Sequence, residues 1–217
     1  MPSIEEEVGE KLHAELMEHF GHETETWALE RVARVTASLN QVRLCCPEPG
    51  ACSWGLTTEI LWLGQMTAFA VPGRYVYLSR GLLQRLEGDD PVALVIAHEL
   101  AHHDLGHVRF LVPALSKLGR VPGSMLGGLL QQAQSLIYGK ERESAADAYG
   151  LHLCLAAGYD PYRCLSLLDI LENESLDWRD LSGVFGGEGG LAGRFASHPP
   201  LQSRRRGLKN VLAEYGL

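Results

Sequence analysis

The stretch PVALVIAHELAHHDLGH, residues 91–107, places a glutamate and several histidines at the end of a run apolar enough to be buried. Burying such groups is expensive unless they are paired or hold a metal. The segment therefore requires a buried helix with a chemical partner elsewhere in the chain. Asp90 supplies a natural N-cap and Pro91 suits a first helical position, so the helix is expected to start there.

Within it, His98, Glu99 and His102 form the pattern HExxH. Residues four apart on an α-helix lie about 40° from each other around the axis, so both imidazoles can face one ion. Glu99 lies about 100° round from His98, where it reaches a water on that ion rather than the ion itself. By the same geometry His103 is about 140° and His107 about 180° away, so both are expected at the surface or behind the ligands.

A catalytic zinc needs a third protein ligand and an open position. The extended pattern HExxHxxGxxH fails, because Leu105 and Val108 stand where it requires Gly and His. A second helix, about GKERESAADAYGLHLCLAA and ending at Gly158 with Pro161 beyond, supplies acids instead. Glu143 can bind the ion while Asp147, four residues on, accepts a hydrogen bond from a ligand imidazole and fixes its tautomer. Glu141 competes, but it lies about 200° from Glu143 and has no acid four residues later.

The remainder of the chain reads as one domain, 1–217, with N-terminal helices and a loop over 1–55 and a catalytic core over 56–217. IEEEVGEKLHAELMEHF and TWALERVARVTASLN repeat apolar residues every three or four positions. EILWL, TAFAV and YVYLS, with a turn at Pro72 and Gly73, predict a small antiparallel sheet. Residues 108–139 predict a packed helix pair, and GVFGGEGGLAGRF a flexible loop, since no phosphate-binding glycine pattern follows a strand. The fold class is thus α+β, mainly helical.

A formal net charge of -8 argues against nucleic-acid binding. The acidic start MPSIEEEVGEKLHAEL is unlike an export signal, which gives the expectation of a cytoplasmic protein. No run reaches the roughly 18 apolar residues of a membrane span, so membrane contact is expected to be peripheral at most. Five cysteines without CxxC spacing predict reduced structural thiols.

HELAH followed by ExxxD, preceded by TAFAVPGRYVYLSRGLL and followed by SHPPLQSR, resembles the gluzincin zinc metallopeptidases of the HtpX and CAAX-prenyl-endopeptidase type, especially their small soluble members. The resemblance runs from about Thr67 to Arg206. It implies a zincin domain holding one zinc ion through His98, His102 and Glu143, with Glu99 as catalytic acid/base and Asp147 behind a ligand. It gives His198, in the HP motif, a place near the oxyanion or the open metal position, and makes Arg204 a structural ion-pair partner. It makes Thr67, Ala68, Phe69 and Ala70 part of an edge strand bordering the cleft, where substrate adds as a further strand; Thr67 stands where relatives commonly have Asn. The implied activity is endopeptidase hydrolysis of protein or peptide substrates. The alternative is an autoinhibited or low-turnover zinc protein with a binding or chaperone-like role.

Overall fold

The structure is a computed structural model that describes residues 3–43, 55–116, 139–173 and 201–217. Ser3 opens helix α1 (Ile4–Phe20) with a reciprocal cap: its hydroxyl accepts the Glu6 N–H at 3.2 Å, and the Glu6 carboxylate accepts the Ser3 N–H at 2.7 Å. Val8, Leu12 and Leu16 recur at helical spacing and are buried. Helix α2 (Thr26–Val42) buries Ala28, Val32, Val35 and Leu39 in the same way. Both helices lie where the apolar spacing puts them.

The sheet holds β1 (Thr57–Leu61), β2 (Ala68–Val71) and β3 (Tyr75–Ser79) in the order β1-β3-β2. β2 and β3 form the expected hairpin, closed by Gly73 and Arg74 at φ 81° and 77°. β1, however, pairs parallel with β3, so the sheet is mixed rather than antiparallel throughout. The reason is neighbour order: β3 lies between β1 and β2, and every second strand of an up-down chain runs the same way. Residue patterns report strands but not which neighbours they choose.

Ser79 caps helix α3 (Arg80–Arg85), accepting the Leu82 N–H at 3.1 Å. Helix α4 (Asp89–Asp104) follows, and every residue from Pro91 to His103 is buried. It begins at Asp89 with Gly88 as N-cap, earlier than expected. Asp90 serves another end of the fold, accepting the Asp160 N–H at 2.8 Å. After Gly106 come a 3-10 turn (His107–Leu111) and α5 (Val112–Leu115). Helix α6 (Lys140–Ala156) is the expected second helix. Pro161, read as a stop, starts helix α7 (Pro161–Asn173), whose first N–H groups at Tyr162 and Arg163 are accepted by Asp160 at 2.8 and 3.1 Å. Helix α8 (Leu201–Glu214) closes the fold.

Residues 117–138, most of the expected helix pair, lie outside the described residues, as do the glycine-rich loop and Cys45, Cys46 and Cys52. Cys154 and Cys164 are free and buried. Among the described residues no helix is long and apolar enough to cross a membrane.

One contiguous apolar cluster extends from Val8 on α1 to Leu212 on α8, so the N-terminal helices share the core with the rest. Each fully buried Leu, Ile or Val stabilises by roughly 1.5–3 kcal/mol. The apolar half of α4 thereby offsets the burial of its polar end. α4 and α6 approach closely at Gly150, where a Cβ would lie 3.0 Å from the His98 nitrogen and 3.1 Å from the Ala97 carbonyl carbon. This contact holds the two motif-bearing helices together. Gly150→Val should therefore destabilise the metal-free protein by about 1–3 kcal/mol, the usual range for overpacking. Urea denaturation checks it, and an unchanged midpoint would contradict the close approach.

Candidate metal centre

α4 and α6 bring the paired motifs together. His98 and His102 sit one turn apart on α4, with Nε2 atoms 3.2 Å from each other. From α6, one carboxylate oxygen of Glu143 lies 3.3 Å from His102 Nε2 and the other 3.8 Å from His98 Nε2. All three residues are buried, and their candidate donor atoms lie within 4.8 Å of one another. Donors placed about 2.1 Å from a common centre in a tetrahedron lie about 3.4 Å apart. The observed separations match that spacing, and two imidazoles with one carboxylate are a donor set zinc accepts. The residues present therefore fit a metal ion.

Glu99 follows His98 on the same helix and is 0% exposed. Asp147, one turn beyond Glu143, approaches His98 from behind, its Oδ1 lying 2.9 Å from Nδ1. Arg204 on α8 grips Asp147 with two hydrogen bonds, from Nε at 2.8 Å and from Nη2. Burial pushes the Asp147 carboxyl up, but Arg204 and His98 outweigh it and hold it well below the usual carboxylate range. It stays an anion beside the imidazole. Because Arg204 belongs to the last helix, the chain's C-terminal end braces the centre.

His103 and His107 are both buried rather than at the surface. His103 donates Nε2–H to the Tyr75 carbonyl at 3.1 Å, joining α4 to β3. Burial pushes its pKa down to about 3, so the ring is neutral. His107 Nδ1 lies 2.9 Å from Nδ1 of His102. Burial, reinforced by its neighbours, pushes its pKa down to about 4. Farther back, Arg43 pairs with Asp104, which also accepts the Tyr149 hydroxyl at 2.9 Å, linking α2, α4 and α6 behind the histidines.

The geometry has a counterpart among known proteins. The family model described as "Peptidase family M48" matches residues 61–212, well over half of the chain. The chain belongs to peptidase family M48. This M48 chain is 28% identical over 160 residues to "Mitochondrial metalloendopeptidase OMA1" of Schizosaccharomyces pombe, a match covering 68% of the chain and 44% of that protein. It is 29% identical over 117 residues to the protein of the same name from Arabidopsis thaliana, covering 49% of the chain and 24% of the relative. It thus spans less than half the length of either relative. The M48 match contains the whole stretch, Thr67 to Arg206, that resembles gluzincin metallopeptidases.

Of the M48 chain's expected site residues, the structure gathers His98, His102, Glu143, Asp147 and Arg204 into one connected group. Glu141 is exposed at the start of α6, whereas Glu143 is fully buried. Thr67, Ala68, Phe69 and Ala70 are buried, with β2 at the edge of the sheet. The Thr67 backbone is engaged by Ser79: its N–H donates to the hydroxyl at 3.0 Å and its carbonyl accepts the N–H at 2.9 Å. His198 lies outside the described residues. The contact that helical spacing does not find is His107 on His102, because the helix ends before residue 107.

Proposed function

We propose that this M48 chain is a zinc-dependent metalloendopeptidase that hydrolyses peptide bonds of protein or peptide substrates. The reading rests on the convergence of His98, His102 and Glu143 at tetrahedral spacing, with Glu99 between the two histidines on α4. A zinc ion held by those three residues would supply Lewis acidity, making a water more acidic and polarising the scissile carbonyl. Glu99 accepts the proton of the attacking water at its carboxylate and delivers it to the leaving amine nitrogen. Asp147, held anionic by Arg204, accepts the Nδ1–H of His98 and so leaves the Nε2 lone pair facing the centre. His198 is assigned a place near the developing oxyanion on the family resemblance. An extended substrate segment adds to the edge at β2; since Thr67–Ala70 are buried, that edge must open first.

The same burial favours a second reading, a latent or low-turnover zinc protein, because a 0% exposed Glu99 does not meet substrate in this conformation. Incubation of the zinc-loaded protein with an unfolded protein such as reduced casein decides between them. The proposed enzyme yields discrete peptides, mapped by mass spectrometry, that disappear with a chelator and return with added zinc. Products indifferent to chelator sink the metallopeptidase reading; binding without cleavage favours the latent form.

A further inference from the structure

His102 is held from two sides. Its Nε2 faces the candidate centre, 3.2 Å from His98 Nε2 and 3.3 Å from Glu143. Its Nδ1 points the other way and meets Nδ1 of His107 at 2.9 Å. Both rings are buried, their centroids 5.1 Å apart.

The chain reaches this contact by ending the helix. α4 stops at Asp104, and Gly106 takes the left-handed conformation at φ 70° and ψ 14°. That conformation suits a residue without Cβ. The backbone reverses, and the first residue of the next turn swings its ring against His102 instead of pointing away from it, as a continued helix would require.

An imidazole whose Nε2 lone pair is given to a metal carries its proton on Nδ1 and donates there. The partner at 2.9 Å must then present a bare nitrogen. We propose that His107 is a positioning residue: its Nδ1 accepts the Nδ1–H of His102, fixing that ligand's tautomer and ring orientation, while its own proton sits on Nε2. This rests on the metal-centre reading above.

The two candidate ligands are then backed unequally. His98 donates to an anion that is itself held by Arg204, whereas His102 donates to an uncharged ring. Hydrogen bonds to ionised acceptors are roughly twice as strong as neutral ones. Partners behind metal-binding histidines typically change metal affinity about 10–100-fold when removed, and the His107 effect should fall toward the lower end.

Zinc affinity by chelator competition tests this on the full chain. His107→Leu keeps the bulk but removes the acceptor and should weaken binding about tenfold or more. His107→Asn places an amide oxygen near the Nδ1 position and should restore most of that loss. Asparagine binding as weakly as leucine, or leucine binding as tightly as wild type, overturns the proposal. A second measurement does not depend on either variant folding: nitrogen-15 NMR of the zinc-loaded wild-type rings should show His102 protonated at Nδ1 and His107 at Nε2. A proton on His107 Nδ1 overturns it. His98→Ala serves as the control. If that variant binds zinc as tightly as wild type, the metal-centre reading falls, whatever His107 does.

Discussion

Glu99→Gln should leave one zinc per chain and an unchanged melting temperature while lowering peptide-bond cleavage by about 100- to 10,000-fold, the usual contribution of a positioned general acid/base. Glutamine keeps the shape and hydrogen-bonding capacity of the buried side chain, so folding and metal binding have little reason to change. What it lacks is a carboxylate that takes a proton from water and returns it to the amine. Metal analysis beside initial-rate measurement separates the two effects. Full activity in a zinc-loaded variant would remove Glu99 from the mechanism; loss of zinc together with activity would make it a structural part of the centre.

Arg204→Met should be the most destabilising single change behind the site. Arg204 and Asp147 are both buried, and removing one member of such a pair leaves an uncompensated charge, at about 3–5 kcal/mol. Zinc affinity should fall about 10–100-fold as well, because Asp147 no longer holds the His98 tautomer firmly. The pH dependence has a definite sign. In the wild type the Asp147 carboxyl lies below its ordinary value, so its contribution is fully present above that value and lost only in acid. In the variant, burial acts without Arg204 and raises the carboxyl. The stability gap between the two proteins, measured by urea denaturation without metal, should be widest at neutral pH. It should narrow as pH falls and the variant's Asp147 protonates. A gap that widens in acid would contradict the pairing.

The geometry of the candidate centre was legible in the sequence to the extent that helical periodicity governs it. His98, Glu99, His102, Glu143 and Asp147 all lie on two regular helices, and residues four apart on a helix share a face wherever the helix packs. The close approach at Gly150 then needs only a glycine opposite the motif. For His107 a place behind the ligands was one of the two expected, but its direct contact with His102 depends on a chain reversal at Gly106, where helical angles stop applying. The parallel β1–β3 pair escaped for a related reason, since alternation along a strand carries no information about its neighbour. Asp90 and Pro161 carry the correct local chemistry but at other helix boundaries: Asp90 braces the approach to α7, and Pro161 begins a helix. In each case a long-range partner decided between two locally acceptable roles.

Zinc K-edge X-ray absorption of the purified, zinc-loaded chain tests the centre most directly. Two imidazoles and one carboxylate predict a first shell of nitrogen and oxygen only, at about 2.0–2.2 Å, with outer-shell scattering from two rings. Glu143→Gln should weaken zinc binding without changing the ring count. A sulfur shell at about 2.3 Å, or a fit requiring fewer than two imidazoles, would contradict a centre built from His98, His102 and Glu143; a third ring would place His198 in the open position.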